Sequence, residues 1–179
     1  MEAKLVERVQ RENDHHAFEQ LMRQNQSPIR QFLRRLTLQN PAIADELAQE
    51  TFLKAFVHIK SYRGESKFLS WLFRIAYQQF VSSTRKKTEQ TNVEVEDKAD
   101  DGKFEHRIVA EKTVKNLLKH LKSDERAILL LHFSHDLTHQ EIAIVMQIPL
   151  GTVKTQIRRS RLKLKSFTEE NDSEKSDEK

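Results

Sequence analysis

The sequence predicts an all-α protein: two small helical domains joined by a flexible acidic linker, the second containing a helix-turn-helix. Three observations carry that expectation. Only 3 Gly and 3 Pro occur in 179 residues, too few for a chain built from strands and tight turns. Leu, Lys, Glu, Gln and Arg dominate instead, and all five are good helix formers. Apolar residues recur at helical spacing in both halves, and an acidic stretch without that spacing separates them.

Taken in order, Leu5, Val6 and Val9 begin an apolar stripe that Ala17, Phe18, Leu21 and Met22 resume. Ile29, Phe32, Leu33 and Leu36 then fall at i, i+3, i+4, i+7, the spacing of one buried helix face. Asn40-Pro41 reads as an N-cap followed by proline in the first turn. The helix it starts carries Ile43, Leu47, Ala48, Phe52, Ala55, Phe56 and Ile59 on one side, and Arg63-Gly64-Glu65-Ser66 breaks the pattern. From Lys67 to Arg85 the apolar residues Phe68, Leu69, Leu72, Phe73, Ile75, Ala76 and Phe80 are spread too broadly for a surface helix, which predicts burial on most sides. This first domain is expected over residues 1–87. Residues 88–107 lack periodicity, are acidic and contain Gly102, the composition of a flexible linker. Helicity returns with Val114, Leu117, Leu118 and Leu121, and Ser123 reads as an N-cap for the apolar run Ala127 to Phe133. The second domain is expected over 108–166, followed by a disordered acidic tail, 167–179.

Composition removes several function classes. The absence of Cys excludes a disulfide framework, a thiol nucleophile and a cysteine-ligated metal site. The N-terminal residues lack the apolar run of a secretory signal, and no stretch approaches the ~20 apolar residues of a membrane span. A cytoplasmic protein without membrane insertion is expected. Charge is unevenly placed. Glu89 to Glu105 holds seven carboxylates and two lysines, and Ser166 to Lys179 holds six and two, so a chain of net charge +4 has a remainder of +13. A basic body with acidic connectors suits a polyanionic partner, since Lys and Arg set against phosphates release counterions. A solvated, highly charged helical surface has the same composition.

The sharpest local pattern is Leu137-Thr-His-Gln-Glu-Ile-Ala-Ile-Val-Met-Gln-Ile-Pro-Leu-Gly-Thr-Val-Lys. Thr138 and Glu141 are spaced as a capping box. Ile142, Ala143 and Met146 give the helix an apolar face, and Pro149 disfavours helix in the residue before it. A second helix follows with Leu150, Val153, Ile157 and Leu164 inward and Lys154, Thr155, Arg158, Arg159, Arg161 and Lys165 outward. Two short helices about a tight turn, the second basic outside, is the form that places a helix in the major groove. Arginines there can bond guanine bidentately, and Thr155 can meet a base edge or a phosphate. An ordinary helical hairpin with a solvated basic face is the plainer reading of these residues alone.

Two longer motifs narrow the choice. Asp45-Glu-Leu-Ala-Gln-Glu-Thr-Phe-Leu-Lys-Ala-Phe followed by Ser61-Tyr-Arg-Gly-Glu-Ser-Lys-Phe-Leu-Ser-Trp-Leu-Phe-Arg-Ile-Ala closely resembles region two of the extracytoplasmic-function (ECF) sigma factors. Leu121 through Leu164 resembles region four of the same family, with Ile148-Pro-Leu-Gly-Thr-Val-Lys as signature. The chain departs from the family at Gln147 and Asp136, where glycine is frequent, and near Lys122, where proline is common. The resemblance implies a promoter-selecting subunit of RNA polymerase with no cofactor, whose partners are core RNA polymerase, promoter DNA and an anti-sigma factor. It implies that Asp45, Glu46, Gln49 and Glu50 dock on the polymerase clamp. It implies that Tyr62, Arg63, Lys67 and Arg74, interleaved with Trp71 and Tyr77, capture the melted −10 strand; cations among aromatics suit unstacked bases. Trp71 and Tyr77 also read as core residues, and for Trp71 core is the favoured reading. Lys154, Thr155, Arg158 and Arg159 match the positions that read −35 DNA.

Two rival readings remain. His132, His135, Asp136 and His139 would gather three imidazoles as metal ligands on one continuous helix, but the helix start at Thr138 puts a turn between them. A conventional dimeric helix-turn-helix repressor would explain the C-terminal half and leave the motif from Asp45 to Ala76 without a purpose.

Overall fold

Helix boundaries in the computed structural model, which describes residues 1–91 and 114–177, follow local side-chain chemistry. α1 (Glu2–Glu12) ends on Asn13 in the left-handed conformation, φ 54°, one of the few non-glycine residues that adopt it readily. Asp14 then accepts a hydrogen bond from the Ala17 N–H at 2.9 Å and starts α2 (His15–Leu36). Asn40 does the same for Ile43 at 3.2 Å, with Pro41 in the first turn of α3 (Pro41–His58). A 3-10 turn, Ile59–Ser61, leads into the loop before α4 (Phe68–Thr91). After a helical segment at 114–119 come α5 (Ser123–Phe133), α6 (His139–Met146) and α7 (Leu150–Asp177).

One detail stands outside the sequence expectation and three differ from it. α2 runs unbroken through Pro28; its apolar residues on both sides of the proline, Leu21, Ile29 and Phe32, are fully buried, so packing outweighs the bond that proline cannot donate. The cap of α5 is Lys122, and Ser123 is its first helical residue. Glu125 closes that turn by accepting from the Lys122 N–H at 3.0 Å. α4 extends to Thr91, past the expected domain end; residues 92–113, where most of the expected linker falls, lie outside the described residues. α7 continues to Asp177, through most of the stretch expected as a disordered tail. No Gly or Pro follows Gly151 to stop it, and Lys165 pairs with Glu169 at 3.4 Å, one turn on.

Packing makes two helical groups. α2 lies against α1, α3 and α4, burying Phe32, Leu33, Leu36, Phe68, Leu72 and Phe73 almost completely, with the Phe32 and Phe73 rings edge to face at 5.3 Å. α5, α6 and α7 surround Ile128, Leu131, Ile142, Val145, Val153 and Ile157. The groups also touch: α2 meets α5, and α4 meets α6. Arg126, 5% exposed, reaches across from α5, and its guanidinium donates to the Leu36 carbonyl at the end of α2 at 2.6 Å.

The two positions where the family often has glycine both have positive φ: Asp136 at 53° and Gln147 at 57°. The Gln147 N–H donates to the Ala143 carbonyl, as does that of Ile148 at 3.1 Å, ending α6 in one residue. Gln147→Gly should therefore raise stability by about 0.5–1 kcal/mol, the left-handed strain of an L-residue less the added freedom of glycine when unfolded. Urea unfolding measures it, and an unchanged or lower midpoint would show that the Gln147 side chain contributes more than its backbone costs.

Candidate nucleic-acid interface

Three exposed faces hold the residues singled out in the sequence. The first lies on α3. Glu46, Gln49 and Glu50 are exposed on one side of the helix. Asp45 shares that side but is engaged: its carboxylate lies 3.6 Å from Arg30 and 3.8 Å from Arg34, both on α2. It ties α2 to α3 and brings little free negative charge to the face. Leu53 and Val57, 63% and 71% exposed, continue the row one and two turns on. Beside them a groove of about 480 Å³ opens between α2 and α3, lined by Phe18, Met22, Gln49, Phe52 and Phe56. Leu53 and Val57 lie outside the apolar side that the sequence marks on this helix. Their signal is angular, since each falls next to, not within, the buried row of Phe52, Ala55 and Ile59.

The second face is the loop before α4 and the start of that helix. Tyr62 is half-buried and its hydroxyl donates to the Ser66 carbonyl at 2.6 Å. Its ring lies 5.3 Å from Phe68 and 5.5 Å from Trp71, and burial raises its phenol above the usual tyrosine range. Trp71 is likewise half-buried, so one part of it packs while another faces outward. Arg63 and Lys67 are exposed and Arg74 is partly so. Tyr62, Arg63, Trp71 and Arg74 line one cleft of about 660 Å³ with Lys54 and His58. Gly64 takes φ 74° at the bend, with open space around it. The loop is held from α1: the Gln10 amide donates to the Ile59 and Tyr62 carbonyls, both at 2.8 Å. Nothing in the local pattern marked Gln10, because its partners lie 49 and 52 residues away. Tyr77 faces elsewhere; its hydroxyl donates to Asp124 at 2.9 Å, and burial, then that carboxylate, holds its phenol un-ionised.

The third face is on α7. α6 is fixed at its start by reciprocal bonds, Glu141 N–H to Thr138 Oγ1 at 3.2 Å and Thr138 N–H to Glu141 Oε2 at 2.8 Å. The Thr138 backbone bond is the main reason the Glu141 carboxyl sits below its usual range. Beyond the turn, Val153, Ile157 and Ser160 are buried, and Lys154, Thr155, Arg158 and Arg159 are all exposed on the opposite side. The Thr155 hydroxyl donates to the Gly151 carbonyl at 2.9 Å, which leaves it an acceptor towards a partner. Lys163 turns back to Glu125 at 2.5 Å and ties α7 to α5.

The histidines do not converge. His132 Nδ1 lies 3.1 Å from the Leu137 carbonyl and its ring 5.0 Å from that of His139, while His135 turns the other way, between Phe32 and Phe73. Among the described residues no group of three potential ligands could hold a metal, and no helix is long and apolar enough to cross a membrane.

A helix-turn-helix with an exposed basic second helix, joined in one chain to an aromatic and cationic cleft, defines a helical DNA-binding protein. Comparison with known proteins narrows this. Residues 21–90 match the Sigma-70 region 2 family and residues 111–164 match Sigma-70, region 4. The RNA polymerase sigma-H factor of Pseudomonas aeruginosa is 33% identical over 173 residues, covering 88% of each chain. The ECF RNA polymerase sigma-E factor of Haemophilus influenzae is 30% identical over 172 residues, covering 88% of this chain and 89% of its own. The fold is similar to that of the sigma factor RpoE solved with the anti-sigma factor NepR from Bartonella quintana, with a TM-score of 0.74 and 24% identity over 85% of this chain and 96% of that one. The chain belongs to the ECF sigma factors, RNA polymerase subunits that initiate transcription at specific promoters.

The loop geometry yields one direct test. Gln10→Ala leaves the partly buried Tyr62 carbonyl without its donor, while that of Ile59 keeps the Tyr62 N–H at 3.1 Å, and should cost about 1–3 kcal/mol. Limited proteolysis should then cut first near Gly64. Unchanged stability and cleavage would mean that the loop is held by its aromatic contacts alone.

Proposed function

We propose that each of the three faces performs one step of promoter recognition. The face of Glu46, Gln49 and Glu50, with Asp45 behind it and Leu53 extending it, docks on core RNA polymerase. The cleft of Tyr62, Arg63 and Arg74, with Lys67 on the same loop but on the side towards α1, receives the single-stranded −10 element. Lys154, Thr155, Arg158 and Arg159 enter the major groove of the −35 element. The chain is proposed to do this as two domains, 1–87 and 108–166, acting on two separate stretches of DNA, with an anti-sigma protein as antagonist. It would carry out no bond chemistry and would act in the cytoplasm.

The observation that carries this reading is the pairing of two different nucleic-acid chemistries in one chain. The α7 face is cationic and has no aromatic among its four residues, the make-up suited to duplex DNA, where phosphates and groove edges are accessible and base faces are not. The cleft combines Tyr62 and Trp71 with three cations, and aromatic faces are useful only against bases already out of the stack. An arginine bonded to a guanine edge contributes about 1–3 kcal/mol of base discrimination, while Lys154 on phosphate adds affinity without selectivity.

The test follows from that division. With core polymerase, the triple variant Tyr62→Ala, Arg63→Ala, Lys67→Ala should form closed complexes at near wild-type levels and open duplex promoter poorly. A pre-melted bubble template should restore much of its activity, because the opening cost is then already met. Equal failure on duplex and bubble would show that the cleft has no specific role in opening.

A further inference from the structure

The contact between the two halves involves the faces just assigned. Arg35 donates to the Ser134 hydroxyl at 2.9 Å, Gln78 to Gln147 at 3.2 Å, and Tyr77 to Asp124 at 2.9 Å. Lys67 of the strand-binding loop lies 4.0 Å from Glu141 of α6. Ile144, on the outer side of α6 and half exposed, forms part of the wall of the cleft that holds Tyr62, Arg63 and Arg74. The first helix of the helix-turn-helix therefore rests on the edge of the −10 face.

At the centre of this seam is His135, from the turn between α5 and α6. Its ring sits 4.7 Å from Phe73 of α4 and 6.0 Å from Phe32 of α2. Its Nε2 is sealed from solvent and has no hydrogen-bond partner among the described residues. The charged groups acting on it are Arg35 from α2 and, on its own turn, Asp136. α4 faces it with the Phe73 ring, and the titratable Tyr77 of that helix is engaged by Asp124 of α5. His132, also on α5, is turned to the Leu137 carbonyl and His139.

We propose that His135 is a proton-sensitive latch: neutral, it holds the C-terminal half against the strand-binding face, and protonated, it releases it. A neutral imidazole fills the gap between two phenyl rings as another apolar ring would. An imidazolium there carries a buried N–H with nothing to accept it, and its charge faces a guanidinium. Burial first, then Arg35, brings the ring down to about 4 from an ordinary value of 6.5. The docked state thus binds fewer protons than the open one. Docking is at full strength above pH 6.5 and is lost as pH falls from there towards 4, by up to about tenfold per unit. Opening frees Lys67 from Glu141 and takes Ile144 off the cleft. That consequence rests on the proposed strand-binding role, whereas the latch itself does not.

The absence of cysteine makes the full-length chain suitable for distance measurement between spin labels at two exposed sites, Q24C and S166C, one in each half. Across the pH range where circular dichroism shows unchanged helicity, the wild type should give a single short distance at pH 8. A longer, broader population should grow as pH falls below 6.5. His135→Phe should hold the short distance throughout, His135→Gln should remove the pH dependence, and His135→Lys should be open at pH 8. A wild-type chain already open at pH 8 overturns the proposal. So does one that opens only as helicity is lost, or a His135→Phe or His135→Gln variant that opens along the wild-type curve. Because no DNA or polymerase is present, failure of the latch leaves the strand-binding assignment to its own bubble-template test.

Discussion

Arg126 joins the two halves where neither could satisfy itself. A helix ends with carbonyls that have no partner in their own backbone, and α2 ends inside the molecule, with Leu36 fully buried. The Arg126 guanidinium supplies the donor, bonding the Leu36 carbonyl at 2.6 Å and the Leu121 carbonyl at 3.3 Å. A charged donor makes a stronger bond than a neutral one, and a cation is favoured at a helix C-terminus. Around this bond lie the Arg35–Ser134 contact and the His135 ring, so the orientation of α5, and through it α6 and α7, refers back to the end of α2. Truncation would leave a buried carbonyl without a donor, and it would do so in both halves at once.

The three proposed interfaces share a simpler plan. Each is backed by core: Leu47, Phe52 and Ala55 on α3, and Val153 and Ile157 on α7, fix the direction in which the outer side chains of those helices point, and Phe68 packs behind Tyr62 of the loop. Charge then divides the work. Glu46 and Glu50 give α3 an acidic rim, while Lys154, Arg158 and Arg159 make α7 cationic. An acidic rim repels DNA and a basic face attracts it, so the two surfaces favour different partners before any specific contact forms. The ties that keep these helices in place, Asp45 to Arg30 and Arg34, Gln10 to the loop, and Lys163 to Glu125, stand behind the faces and not on them.

Much of this was legible in the sequence because it is local. Capping at Asn40 and Thr138, the broad burial of α4, the inward row of α7 and the four exposed residues opposite it all follow from spacings of one to four residues. What the sequence could not place is non-local. Asp45 looks like its neighbours until Arg30 and Arg34 arrive from another helix. Gln10 has no local signature at all. The set of His132, His135 and His139 shares a spacing that suits one helix, but Asp136 at φ 53° turns the chain and sends the rings in different directions. Gln147 and Asp136 were visible as departures from the family pattern; only the backbone shows that the left-handed geometry is kept without the glycine. Docking of one half on the other depends on surfaces from four helices, and no window of sequence contains them.

Promoter selection by this chain can be measured in transcription reconstituted from core polymerase, the purified chain and a library of genomic fragments. New transcripts are expected that start at a restricted set of sites, each preceded by the same two short elements, and that require the chain. Transcription no different from that of core polymerase alone, with DNA binding intact, would contradict promoter selection and leave a DNA-binding protein of another kind.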